Sequence, residues 1–422
     1  MEKIFFEQLA ETVYSEQLTN GLRVFVLSKK DYQKTYATFT TRYGSIDRSF
    51  KIDGQLFNVP DGIAHFLEHK MFEEEDGDIF NRFAMQGAQV NAFTSFDRTT
   101  YLFSSTQNVK ENLNTLLDFV QHPYFTDENV EKEKGIIAQE IRMYDDNPDW
   151  RLYFGLIQSL YSNHPIHIDI AGSVESIYQI TKEQLDLCYQ TFYHPSNMVL
   201  FIVGGIDPIE ILKVVEENQS QKVFTKRKKV ERNYPPQDAE VKDRNKIQLT
   251  VSIPKVLVGF KDQQIGLTGK DFLKREFGIQ ILLEMIFGTG SDLYQELLDQ
   301  GLIDEDFGFE YQIENQYGFS LIGGNSKDPD KFINRVKEVL EKKKTGGLNL
   351  DDFNRVKKKK IGDFLRKMNS PEYIANEFTR YIFNEAILFD VLPTLESLNL
   401  SDITVQLEHF NFEQMAVSIV HS

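Results

Sequence analysis

The chain has a single cysteine, Cys188, in 422 residues, which rules out an intrachain disulfide framework and a cluster of thiolate metal ligands. That scarcity suits a reducing compartment. Nowhere do apolar residues run on for the roughly eighteen positions a membrane-spanning helix needs. Residues 1–8 lack the apolar core and small-residue cleavage site of a secretory leader, so a cytoplasmic protein is expected. Basic residues are outnumbered, 47 Lys and Arg against 64 Asp and Glu, for a net charge of −17. A field of that sign opposes nucleic acid and anionic lipid, so neither a nucleic-acid nor a membrane partner is expected.

What remains is a globular balance. With 41% hydrophobic and 13% aromatic residues, the chain has enough apolar surface to offset the entropy of ordering it. The length suggests roughly two or three domains. Segments 22–27 and 36–43, rich in β-branched and aromatic residues, predict strands, and 91–104 predicts a strand or hairpin. Asp61 is the simplest N-cap for a helix that follows. Thr126 caps a second helix, with Phe125 and Val130 as a hydrophobic staple, running to about Tyr144 before Asn147-Pro148.

Segment 221–246 carries nine Lys or Arg against four acids, with Pro235-Pro236 between them. Given the net charge, it reads as a basic linker rather than a nucleic-acid arm. Lys357 to Lys360 reads likewise as the exposed part of a helix. A faint repeat flanks the linker. Glu175-Ser176-Ile177 precedes the apolar run 198–203, and Glu396-Ser397-Leu398 precedes the similar run 415–420. Two domains of like topology follow, 1–220 and 247–422, each about two hundred residues.

The sharpest feature is His65-Phe66-Leu67-Glu68-His69. On a helix the two imidazoles stand one turn apart and about 40° apart in rotation, so both can reach one metal ion. Ile63, Phe66, Leu67 and Met71 form a separate apolar stripe. Glu68 lies on the ionisable side, displaced from the two histidines, where a carboxylate suits a general base better than a ligand. A catalytic zinc site needs a third protein ligand, and the second helix offers carboxylates. The residues alone leave Glu131, Glu133 and Glu140 open for that place. No counterpart of the histidine helix is recognisable in the second half, so any chemistry belongs to the first.

His-x-x-Glu-His followed at a distance by Glu-x6-Glu, within Glu-Lys-Glu-Lys-Gly-Ile-Ile-Ala-Gln-Glu-Ile, resembles the inverzincins, the pitrilysin/insulinase peptidases of family M16. The resemblance implies an α+β fold of two related domains, each a mostly antiparallel sheet packed with helices. It implies one zinc per chain, held by His65, His69 and Glu140, with Glu68 as the base and Glu133 as the acidic residue that supports a ligand imidazole. Asn91-Ala92-Phe93-Thr94 is similar to the family's edge strand, which takes a peptide as an added β-strand. Residues 287–297 resemble its Gly-rich turn and helix, with Asp292 where an Arg is usual.

Length is most similar to the half-size bacterial members, which implies a non-catalytic M16-like sister subunit or a homodimer. Larger members grip substrate with a spaced Arg and Tyr. The nearest candidates here, Arg380 and Tyr381, are adjacent. The implied activity is hydrolysis of peptides or small unfolded segments. A peptide-binding or modification-associated subunit without cleavage is the alternative. The other histidines carry no ligand pattern. His164-Pro165-Ile166-His167 reads as a structural turn, His122, His194, His409 and His421 are isolated, and Cys188 reads as a core thiol.

Overall fold

The two apolar runs that close the sequence halves are the strands Met198–Gly204 and Met415–His421, buried along nearly their whole length. A strand buried at nearly every position, even at Ser418, is covered on both faces. Each of the two also lies inside a sheet, not at its edge. The computed structural model describes residues 1–75, 77–226, 228–235 and 241–422. These fall into two units. The first comprises Met1–Ile141, Ile168–Tyr234 and Lys367–Phe383, and the second Arg142–His167, Pro235–Arg366 and Asn384–Ser422.

The first unit holds a seven-stranded sheet in the order Glu2–Phe6, Glu11–Gln17, Arg23–Ser28, Met198–Gly204, Thr35–Thr41, Thr99–Ser105, Ala88–Thr94. The second holds five strands in the order Arg244–Gln248, Met415–His421, Lys255–Lys261, Gly318–Asn325, Gly308–Ile313. The last five strands of the first sheet and all five of the second share one plan. In each, the closing strand runs parallel to the neighbour on one side and antiparallel to the one on the other. The remaining pairs are antiparallel. Two α+β units of like topology, inferred from the repeat, are what the chain forms.

Each sequence half lends a helix to the other unit. Pro148–Leu160 packs on strands Met415–His421, Lys255–Lys261 and Arg244–Gln248 of the second unit. Pro371–Phe383 lies on Met198–Gly204 and Thr35–Thr41 of the first. There the Phe378 ring sits 4.4 Å from that of Phe201 and 5.0 Å from that of Phe25. Contiguous halves at 1–220 and 247–422 do not capture this exchange. It is decided by tertiary packing, to which local sequence pattern is blind.

The segment 221–246 is more than a solvated linker. Val230–Arg232 pairs with Ser49–Ile52, which pairs in turn with Gln55–Asn58. Arg232 and Tyr234 both bond the buried Asp47, at 2.8 and 2.6 Å. Arg244–Gln248 opens the second sheet. Arg227 and Pro236, part of the linker reading, lie outside the described residues. The Lys357 to Lys360 run sits, as expected, on the helix Leu350–Lys367. Among the described residues, no helix is long and apolar enough to cross a membrane.

Candidate metal centre

The motif occupies the helix Ile63–Lys70. Its N-cap is Gly62, at φ +84°, with no side-chain cap, and not Asp61. A Cβ at Gly62 would stand 2.3 Å from the Ala171 carbonyl oxygen, and one at Gly172 (φ +76°) would stand 2.5 Å from that of Asp61. The helix therefore starts in a left-handed turn pressed against a second loop, which glycine alone adopts without strain. Asp61 instead pairs with Arg48 at 3.1 Å, and its carbonyl accepts from the Ser176 hydroxyl at 2.9 Å. The apolar stripe is buried as its spacing predicts: Ile63, Phe66, Leu67 and Met71 are at most 3% exposed. This burial turns the opposite side of the helix toward the second helix, Asp127–Asp145.

That second helix is set by the expected cap. Thr126 Oγ1 accepts from the Asn129 amide at 3.1 Å, the Asn129 side chain accepts in return from the Thr126 amide at 3.0 Å, and Phe125 and Val130 are buried. Glu133 and Glu140, seven residues apart, both face the histidines. The rings of His65 and His69 are 4.5 Å apart. His65 Nε2 lies 3.7 Å from Glu140 Oε1, and His69 Nε2 lies 3.6 Å from Glu140 Oε2. The ligand atoms of these three residues all fall within 4.8 Å of one another. Ligands at zinc-bond lengths in a tetrahedron stand roughly 3.3 Å apart, so two imidazoles and a carboxylate at this spacing fit a zinc ion with little movement.

Glu133 is not part of this trio. Its Oε1 is 3.1 Å from Nδ1 of His69, the ring nitrogen turned away from Glu140. Burial opposes the charged form of Glu133, but the His69 bond and the nearby Lys70 outweigh it and hold its carboxyl below the usual range. An ionised Glu133 accepts a hydrogen bond from Nδ1–H, which leaves the Nε2 lone pair directed at the site. Burial opposes protonation of His69 too, yet that bond and the carboxylates of Glu68, Glu133 and Glu140 raise its pKa overall. His65 is held neutral, its pKa pushed down to about 3 by burial and by His69. Carboxylates that raise a histidine beside a neutral one form a field suited to a cation.

Glu68 is 8% exposed, and its Oε2 accepts from the Thr94 hydroxyl at 2.6 Å. Burial raises its carboxyl above the usual range, against the Thr94 bond. Thr94 ends the strand Ala88–Thr94, at one edge of its sheet, paired through register 94 to 88 with Thr99–Ser105. The hairpin expected over 91–104 is this pair. The Thr94–Glu68 bond was not legible in the sequence, because the two residues come from different elements 26 positions apart.

Two entire regions of the chain match family profiles. Residues 54–173 match the one described as "Insulinase (Peptidase family M16)", and residues 179–360 match "Peptidase M16 inactive domain". The chain is 53% identical over 407 residues to an uncharacterized zinc protease of Bacillus subtilis, YmfH, covering 96% of this chain and 95% of that one. This chain belongs to peptidase family M16. The M16 fold is shared with an M16-like peptidase from Alicyclobacillus acidocaldarius, at a TM-score of 0.95 and 44% identity over 97% of this chain and 98% of that one. Pitrilysin matches in fold alone, at a TM-score of 0.76 and 15% identity over 99% of this M16 chain but 46% of pitrilysin.

The other singled-out residues stand apart from the trio. Tyr381 is 2% exposed, and the Arg380 guanidinium pairs with Glu377 at 3.1 Å and stacks on the Tyr381 ring. A side chain so buried has no free surface with which to grip a substrate. His164 accepts from the Ile166 amide within the turn Pro165–His167, and Cys188 is buried. The second unit does carry a helix at the place in strand order taken by the histidine helix. This helix, Gly269–Phe287, is buried along most of its length and carries no histidine, which is why the sequence disclosed no counterpart.

Proposed function

We propose that this chain is a zinc-dependent endopeptidase acting on peptides or small unfolded segments. The observation that carries the reading is the convergence of His65, His69 and Glu140 beside a buried carboxylate, Glu68, that is not one of them. His65, His69 and Glu140 would hold one zinc, and Glu133 would fix the tautomer and plane of His69. Bound there, zinc would supply a Lewis acid that polarises the scissile carbonyl and makes water easier to deprotonate. Glu68 takes the proton of the attacking water and passes it to the leaving amine. Its burial favours that role, since a carboxylate raised above its usual range is a stronger base. Asn91, Ala92, Phe93 and Thr94 lie on the edge strand, where an extended peptide can add by main-chain pairing and tolerate many sequences.

The site is read as half of an enclosure. The chain spans nearly half the length of pitrilysin, which supports a second two-domain chain, a non-catalytic sister or a second copy, closing over the bound peptide. Exclusion of water would then strengthen the field on the carbonyl. A cytoplasmic setting accords with the single cysteine.

Elemental analysis with a quenched-peptide assay, run on the chain alone and with its sister subunit, tests the reading. Zinc near one per chain and cleavage abolished by chelation are expected. Zinc binding with no cleavage under any condition would favour a peptide-binding subunit instead. Sedimentation of the same mixtures tests the pairing, and a strictly monomeric chain with full activity on long peptides would contradict it.

A further inference from the structure

We propose that Lys70 is a positioning residue of the metal centre, acting through Glu133. The Lys70 side chain is wholly buried, and its ammonium lies 3.7 Å from Glu133 Oε2, while Glu133 Oε1 meets His69 Nδ1 at 3.1 Å. One carboxylate thus joins two consecutive residues of the histidine helix, an oxygen to each. The other partner of Lys70 is Glu73, in the short strand Glu73–Glu74 just beyond the helix.

A buried ammonium is a poor way to stabilise a helix. Its desolvation commonly outweighs the attraction of its partners, and an apolar residue of similar volume would serve packing as well or better. What an ammonium does and a methionine cannot is hold a carboxylate in one rotamer. Without Lys70, the second oxygen of Glu133 would face a nearly closed space with no cation on it, and the carboxylate would gain from turning toward water. The bond to His69 Nδ1 would lengthen, and with it would go the constraint on the ring plane from which Nε2 points at the site. The sequence gives no hint of this role, because Lys70 follows the motif like any charge at a helix end. Only its burial and its reach to Glu133 distinguish it.

The inference rests on the reading of His65, His69 and Glu140 as ligands, and the test separates the two. Cobalt(II) titration followed by visible absorption, with zinc competition, is run on the full chain and on Lys70→Met, Glu133→Gln and the double variant. Thermal melts of the metal-free proteins accompany it. If the unsubstituted chain shows no cobalt spectrum, the ligand reading fails. If it does, Lys70→Met should weaken metal binding roughly ten- to a hundredfold and alter the cobalt bands. In the Glu133→Gln background the same change should cost less than about threefold, because its route is already cut. Equal affinity in a folded Lys70→Met chain, or the same loss in both backgrounds, would overturn the proposal. Should Lys70→Met not fold, Lys70→Gln takes its place, and failure of both to fold would mark Lys70 as a structural ion and equally overturn it.

Discussion

The Thr94 hydroxyl donates to Glu68 Oε2 at 2.6 Å, tying the end of an edge strand to the carboxylate that we read as the base. The residue that would meet the substrate backbone also aims the group that would move the proton. A hydrogen bond to a buried charge contributes about 1.5–3 kcal/mol. Thr94→Val should therefore lower kcat on a peptide by roughly ten- to a hundredfold with zinc content unchanged. Thr94→Ser, which keeps the hydroxyl, should retain most activity.

Glu133 and Glu140 sit on one helix face yet differ in what they touch, and metal affinity should separate them. Glu133→Gln leaves the trio intact and should weaken zinc by roughly ten- to a hundredfold. Glu140→Gln removes the anionic member of the trio and should weaken it further. A zinc titration giving the reverse order would exchange the two roles.

How far the sequence went is clearest at these residues. The i, i+4 histidines and the apolar stripe told of a helix with one buried and one chemical side, because helix geometry is local. Glu140 and Glu133 could not be told apart from spacing, since seven residues return nearly to the same face. Only the position of the histidine helix decides which carboxylate spans both Nε2 atoms. Asp61 looks like the cap because a polar residue before an apolar run is the usual signal, whereas here the turn is made by the backbone freedom of Gly62. The exchange of Pro148–Leu160 and Pro371–Phe383 left no local trace at all.

Gly62 should not tolerate a side chain. Gly62→Ala adds a Cβ to a left-handed residue 2.3 Å from a backbone oxygen. The expected loss is more than about 1 kcal/mol of unfolding free energy, read from the denaturant midpoint. A neutral outcome would mean that the loop at Ala171 gives way freely.

His409 should make the second unit sensitive to acid. It is buried, donates to or accepts from Ser320 Oγ at 2.8 Å, and has its pKa pushed down to about 4 by burial and by Arg275, against the pull of Asp262. The unfolded chain, with an ordinary histidine, binds the proton first. The stability His409 lends is therefore present above about pH 6.5 and lost as pH falls toward 4. Between pH 7 and 5 the loss should be about 2 kcal/mol. His409→Gln, which can still reach Ser320, should flatten that part of the pH profile in denaturant melts. His164, also pushed down to about 4, should leave a residual slope of the same sign.

In the proposed mechanism Glu68 moves the proton while His65, His69 and Glu140 hold the metal. Glu68→Gln replaces one oxygen by nitrogen and removes no member of the trio. The most direct measurement is peptide cleavage by this variant beside its zinc content, each compared with the unsubstituted chain. About one zinc per chain is expected in both, with cleavage reduced by at least about a hundredfold in the variant. A Glu68→Gln chain that keeps its zinc and cleaves at the full rate would contradict that mechanism.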